Sequence, residues 1–157
     1  MQERPIIVRR LGDLDADLAR KALTTVNGRA VEEAAMQEFL RDPSCYLLVA
    51  ERNGDALGAL NGYALRRPYR PEPQFLLYEV DVTGEWQNQG IGKKLVSAFV
   101  EEARRCGAFE VWALTDRSNE AAIKMYLHCG LSPEDPGANG VMMNILLEGV
   151  RSDADFG

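Results

Sequence analysis

The chain has 157 residues, of which 46% are apolar and 27% charged, the balance of a folded globular protein and not of a disordered one. That length suits one compact domain spanning residues 1–157, and the formal charge of −6 disfavours general binding to phosphate backbones. No apolar run is long enough to span a bilayer, and the start, Met1-Gln2-Glu3-Arg4-Pro5, lacks the basic and apolar pattern of a secretory leader. Cys45, Cys106 and Cys129 form no CxxC and only His128 could join them, so a metal set is not expected. Free thiols fit a reducing cytoplasm, where the protein is expected, with no nucleic-acid or membrane partner.

In chain order, Ile6 to Arg10 reads as an opening strand. Leu14, Leu18 and Leu23, with Ala16, Ala19 and Ala22, give near-helical spacing over Asp13 to Val26, and Asn27-Gly28 ends it. Val31 to Arg41 is a second amphipathic helix, closed by Asp42-Pro43. Cys45 to Glu51 and Ala56 to Arg66 predict a hairpin about Asn53-Gly54, two residues that tolerate positive φ. Gly58 and Gly62 weaken the second of these strands. Arg67 to Pro73, rich in proline, reads as a loop before a long strand from Gln74 to Thr83. Gly90 to Cys106 is a helix with Leu95, Val96, Phe99, Val100 and Ala103 on one side and Gly107 beyond its end. A strand from Phe109 to Thr115, a helix from Asn119 to Cys129 and a strand from Val141 to Leu147 follow. Residues 149–157 read as an acidic, frayed tail. The order predicts an α/β or α+β sheet with helices packed on it.

The clearest chemical signal is the strand-to-helix junction that runs through Gln87-Asn88-Gln89-Gly90-Ile91-Gly92. A helix start offers unpaired N–H groups and the positive end of the macrodipole, and glycine lets an anion approach them. Lys93 and Lys94 stand just inside the helix. The G-x-x-x-x-G-K-S/T pattern of a Walker loop is absent, and the third glycine of the dinucleotide fingerprint is missing. What remains is a helix start that can bind an anion such as a pyrophosphate, or a plain glycine-initiated helix with no ligand.

The junction resembles the coenzyme A motif of the GNAT superfamily, Q/R-x-x-G-x-G/A after a strand ending in Val, here Val82. A second segment, Asn119-Glu120-Ala121-Ala122-Ile123-Lys124-Met125-Tyr126-Leu127-His128-Cys129-Gly130-Leu131, is similar to that superfamily's N-x-x-A-x-x-x-Y-x-x-x-G-F/L signature. Ala122 and Tyr126 share a helix face at i and i+4, and Asn119 occupies an N-cap position. Capping alone would account for Asn119, and core packing for Tyr126. Two motifs in the right order, one helix and one strand apart, make the resemblance specific over residues 45–131.

The resemblance implies a mixed central sheet, flanked by helices, that splays between the strands Gln74–Thr83 and Phe109–Thr115. It implies acetyl-CoA as co-substrate, with pantetheine in the gap beside the Val80 and Val82 amides. The pyrophosphate would rest on the amides of Gln87, Asn88, Gln89, Gly90, Ile91, Gly92 and Lys93. Asn119 would bond the pantetheine, Val80 N–H would stabilise an oxyanion, and Tyr126 would protonate the leaving thiolate. Glu79 and Asp81, at i and i+2, point to one strand face, and Tyr78, Val80 and Val82 take the other. Glu79 is preferred as the base, with Asp81 helping to draw a cationic substrate. The competing reading pairs these acids with an arginine such as Arg66 or Arg67. A bulge could re-aim either one.

Leu57 to Leu65, followed by Leu77-Tyr78-Glu79-Val80-Asp81-Val82, is further similar to the small aminoglycoside 3-N-acetyltransferases. Asp81 departs from them, standing where they carry a small residue. This likeness implies transfer of an acetyl group to the 3-amino group of an aminoglycoside, in a pocket lined by Tyr63, Tyr78, Glu79 and Asp81. Glu134, Asp135 and the tail acids would lie near its rim. Other acceptors stay open: a peptide N-terminus, a polyamine or an amino acid. A non-catalytic acyl-CoA-binding module is the alternative from another class, and it would need neither Glu79 nor Tyr126. His128 is expected to be exposed, nothing marks Cys129 as activated, and a homodimer, common in the family, is not fixed by any residue here.

Overall fold

The computed structural model describes residues 3–134 and 140–147. Its strands are β1 (Ile7–Arg10), β2 (Cys45–Arg52), β3 (Asp55–Arg67), β4 (Arg70–Val82), β5 (Glu110–Asp116), β6 (Ser132–Pro133) and β7 (Gly140–Leu146). The helices among the described residues are α1 (Ala16–Asn27), α2 (Glu33–Arg41), α3 (Ile91–Arg105) and α4 (Glu120–His128). One seven-stranded sheet runs in the order β1-β2-β3-β4-β5-β7-β6. Its pairings are antiparallel except that of β4 with β5, so the sheet is mixed, as expected.

Local chemistry accounts for most boundaries. Asn53 and Gly54 both take positive φ, 54° and 84°, and close the two-residue β2–β3 turn. Gly28 stops α1 with φ 72°, and its N–H bonds Thr24 O at 2.9 Å. The first leucine-rich segment opens with a short 3-10 turn, Asp13–Asp15, before α1 begins, and α2 starts at Glu33, two residues later than its sequence pattern suggested. The stretch expected as a loop, Arg67 to Pro73, is instead the start of β4, and a tight turn at Pro68 and Tyr69 joins it to β3. A register shift between Leu65 and Arg67 leaves residues 71–73 without cross-strand partners on β3. Pro71 and Pro73, which lack an N–H, therefore cost no ladder bond there. The short strand β6 was not anticipated; only two residues long, it pairs with β7.

The two faces of the sheet carry separate cores. On one, α3 buries Ile91, Leu95, Val96, Phe99, Val100 and Ala103 against Leu60, Phe75 and Leu77. Tyr46, Phe75 and Phe99 meet ring to ring at 5.0–6.1 Å. On the other, α1 and α2 cover Leu47, Val49 and Ala59. The glycines that seemed to weaken β3 are what lets α3 sit down. A Cβ on Gly62 would lie 2.5 Å from Phe99 Cζ and 2.6 Å from Leu76 O, and one on Gly58 3.0 Å from Ile91 Cγ2. Phe99 is fully buried and the other neighbour is backbone, so neither can yield cheaply.

Gly62→Ala is therefore expected to destabilise the protein by about 2–3 kcal/mol, by overpacking. Urea unfolding should show a lower midpoint with an unchanged slope. An unchanged midpoint would mean that α3 is not clamped here.

Candidate active site

The site begins where β4 leaves β5. Their parallel register runs from Gln74↔Glu110 to Leu77↔Ala113 and stops, although β4 continues to Val82 and β5 to Asp116. On its other edge β4 stays paired with β3 as far as Gly58↔Val82. Thr83 N–H bonds Leu57 O at 2.9 Å, so antiparallel alternation turns the Asp81 and Glu79 amides toward β3. The same alternation turns the amides of Val80 and Val82 into the opened edge.

At the point of departure β4 carries a bulge. Leu77 pairs with Gly62 and Glu79 with Asn61, which leaves Tyr78 unpaired between them. The bulge changes which side chains share a face. Phe75 and Leu77 belong to the α3 core below it, and Val80 and Val82 pack against the same core above it. Tyr78 does not join Val80 and Val82 as simple alternation predicted. Its ring meets Tyr63 edge-on at 5.9 Å, and Tyr63 meets Phe39 of α2 at 5.9 Å, so Tyr78 leans to the α2 side of the sheet. Tyr63 stands behind Tyr78 and does not line the cleft itself, contrary to the expectation that it would.

The cleft has a volume of about 1060 Å³ and runs from the acids of β4 to the start of α3 and α4. Val80, Val82, Gln87, Asn88, Gly90, Ile91, Gly92 and Lys93 line it, together with Asn119 and Tyr126. Gln89 does not: its side chain turns back to bond Glu85 O at 3.1 Å. The loop is shaped by positive φ at Asn88 (62°) and at Gly90 (83°), the N-cap of α3. No side chain caps this helix, and its first backbone bond is Lys94 N–H to Gly90 O at 3.1 Å. The amides of Ile91, Gly92 and Lys93 therefore lack intrahelical acceptors at the mouth of the loop. Gly90 and Gly92 play different parts. Gly90 supplies the left-handed conformation and has open space where a Cβ would stand, whereas a Cβ on Gly92 would lie 2.6 Å from Met125 Sδ. Gly92 thus seats α4 against α3.

Asn119 caps α4, its Oδ1 accepting from Ala122 N–H at 3.1 Å. That leaves its Nδ2 as the end able to bond a ligand. Gln87 Nε2 bonds Val82 O at 3.2 Å, so this side chain already touches the opened strand edge. Tyr126 is 5% exposed, and burial, with the nearby Cys129 adding to it, pushes its phenol up to about 12. The group is a neutral proton donor across the physiological range. His128 is exposed at the rim, as expected. Glu134 bonds Met142 O through its N–H and does not line the cleft, while Asp135 and the acidic tail lie outside the described residues.

The partner of Glu79 is neither Arg66 nor Arg67. Arg29 Nη2, from the α1–α2 loop, bonds Glu79 Oε2 at 3.0 Å. Arg29 lies 50 positions from Glu79 and no motif marks it, so nothing in the sequence pattern points to the pair. Asp81 forms no salt bridge among the described residues and lines the same cleft. No group of three His, Cys, Asp or Glu side chains among the described residues is placed to hold a metal. No described helix is long and apolar enough to cross a membrane.

A splayed parallel pair beside an uncapped glycine-started helix defines an acyl-CoA N-acyltransferase architecture. Residues 16–131 match the acetyltransferase (GNAT) family model, and the chain belongs to that family. It is similar to the L-methionine sulfoximine/L-methionine sulfone acetyltransferase of Salmonella typhimurium, 33% identical over 89 residues that make up 55% of this chain and 50% of that protein. The chain thus spans about half the length of that relative. An aminoglycoside acetyltransferase from an uncultured soil metagenomic sample, solved with sisomicin, superposes with TM-score 0.74 at 24% identity, covering 85% of this chain and 92% of that one. An acetyltransferase from Salmonella typhimurium with its cofactor acetyl-CoA gives TM-score 0.71 at 21% identity, covering 95% and 98%. At these identities the two structures establish the fold.

The pKa of Tyr126 yields a prediction with a definite sign. Its folded value, about 12, lies above the ordinary 10, so folding favours the neutral phenol. The stability linked to this group is fully present below pH 10 and is lost as pH rises toward and through 12, an effect of about 3 kcal/mol. Denaturant midpoints measured over that interval should fall more steeply for the native protein than for Tyr126→Phe. Parallel curves would show that the phenol ionises as freely in the folded state as in the unfolded one.

Proposed function

We propose that the protein is an acetyl-CoA-dependent N-acetyltransferase that acetylates a small-molecule amine in a ternary complex, within a single catalytic domain. The observation that carries this reading is the opened edge of β4, where Val80 and Val82 amides face the cleft that ends at the amides of α3. Acetyl-CoA fits these residues: an extended amide-bearing arm can pair with a free strand edge, and a pyrophosphate suits the uncapped helix start. The Val80 and Val82 amides, the Nδ2 of Asn119 and the amides from Gln87 to Lys93 would hold it. Bound there, it supplies an acetyl group on a thioester.

The chain's own groups divide the remaining work. An acceptor amine with a pKa of about 8–10 arrives as an ammonium and must lose a proton before it can attack. Glu79 takes that proton in this reading, and Asp81, on the same face, attracts the cation. The Val80 N–H would donate to the oxygen that gains charge during transfer. Tyr126, neutral and buried, gives a proton to the departing sulfur. A non-catalytic binding module would need neither Glu79 nor Tyr126.

Two acceptors fit. The 3-amino group of an aminoglycoside is supported by the paired acids Glu79 and Asp81 and by the fold shared with an aminoglycoside acetyltransferase. An amino-acid-like amine is favoured by one specific observation, the Arg29 guanidinium at the acids of β4. Thiol release from acetyl-CoA, measured with aminoglycosides, polyamines and amino acids in parallel, separates them. Glu79→Gln and Tyr126→Phe should each lower kcat by about a hundredfold with the best acceptor. Undiminished turnover in both variants would remove the assigned acid–base roles.

A further inference from the structure

The acceptor end of the cleft holds three charges within a short span: Glu79 and Asp81 on β4, and Arg29 against Glu79 at 3.0 Å. Arg29 is not a loosely placed surface cation. Its N–H bonds Asn27 Oδ1 at 3.1 Å, its carbonyl accepts from Thr24 Oγ1 at 3.3 Å, and the preceding Gly28 is fixed in the left-handed region as the cap of α1. The backbone of this residue is thus held on both sides, and the guanidinium is aimed into the cleft from a tied loop. Its side chain is 61% exposed and that of Glu79 35%, so the pair is accessible and exchangeable. Glu79 uses one of five guanidinium N–H groups, and no other partner of the guanidinium occurs among the described residues.

An ammonium that approaches Glu79 meets this guanidinium. A purely cationic acceptor must either displace it or share the carboxylate with it, and both leave like charges side by side. An acceptor that carries a carboxylate beside its amine avoids the conflict. Its ammonium takes Glu79 or Asp81 while its carboxylate gives Arg29 a new, bidentate partner. The spacing suits an α-amino acid, whose two charged groups are separated by one carbon, as Arg29 and Glu79 are themselves adjacent. The exposed Tyr78 and Leu114 line the same cleft and offer an apolar wall for a side chain.

We propose that Arg29 is the acceptor-selecting residue of this site and that it selects a small zwitterionic amine, of the α-amino acid class, with an apolar side chain. The inference rests on the acetyltransferase reading and favours the second of the two acceptors named above.

The test is steady-state thiol release from acetyl-CoA with L-leucine, L-phenylalanine, their methyl esters and kanamycin, for the native protein, Arg29→Gln and Arg29→Lys. The esters keep the amine and the side chain and remove only the carboxylate charge. The native protein should prefer the free amino acids to their esters. Arg29→Gln should raise KM for the amino acids by about tenfold or more, the loss expected when a charged hydrogen bond is removed, and leave KM for the esters unchanged or lower. Arg29→Lys should recover part of that loss. Binding of acetyl-CoA alone, followed by calorimetry, should be the same in all three proteins, which also shows that the variants are folded. Equal use of amino acid and ester by the native protein would overturn the proposal, as would kanamycin turnover that Arg29→Gln improves while neither amino acid is used. If the native protein binds acetyl-CoA and uses none of these acceptors, the Arg29 assignment fails and the donor reading stands. If it does not bind acetyl-CoA, the acetyltransferase reading fails first.

Discussion

The structure depends on one broken pairing. Among the described residues β4 and β5 are the only parallel neighbours in the sheet, and they part after Leu77 and Ala113. A buried strand edge is costly, because each unpaired N–H and C=O forfeits a bond it would otherwise make. Here the open edge faces a cleft, where solvent can serve it until something better does. What keeps the gap from closing is packing on both sides. α3 is locked to β3 and β4 by the two glycines that admit Phe99, Ile91 and Leu95, and α4 is locked to α3 by Gly92 under Met125. The strands cannot draw together without dislodging helices from a filled core.

The bulge at Tyr78 is the second consequence of that parting. It inserts a residue where β4 turns from β5, so one strand serves two purposes. Val80 and Val82 keep their side chains in the α3 core while their amides face the gap, and Glu79 and Asp81 face the opposite side of the sheet, toward α1 and α2. The proposed donor and acceptor ends of the cleft are therefore built from alternate residues of a single short segment. A rigid element holds both, and in the proposed reaction that rigidity would keep an amine in register with an acyl carbon.

Much of this was legible in the sequence, and the reason differs from element to element. Turns and caps at Asn53-Gly54, Gly28 and Gly107 could be read because positive φ leaves a local chemical mark, and all three take it. The helix start at Gly90 could be read because glycines at a strand-to-helix junction mark exposed amides, and Gly90 in addition takes positive φ. Alternation failed at Tyr78, since a bulge is decided by pairing with β3 and by the loss of β5, neither of which is local. The proline-rich segment from Arg67 to Pro73 was misjudged because an irregular register lets a strand carry prolines. Gly58 and Gly62 suggested a weak strand when their meaning lay in the helix packed over them. Arg29 was invisible: its role comes from a contact 50 residues distant, and a lone arginine after an Asn-Gly stop has no pattern of its own.

The same contrast separates what the family constrains from what it leaves free. The donor end is made largely of backbone amides and of glycines that admit a conformation or a neighbour, so its chemistry is nearly independent of side-chain identity and is written in the motif. The acceptor end is made of side chains from three separate places: β4, the α1–α2 loop and the exposed end of β5 at Leu114. Each can change without disturbing the sheet. Only the sum of their charges, two carboxylates and one guanidinium, constrains what sits among them. That balance is one net negative charge, so a polycation would find too few carboxylates while meeting one fixed like charge. Arg29, the one cation among the described residues set against the two carboxylates of β4, therefore carries the most information about what that end of the cleft admits.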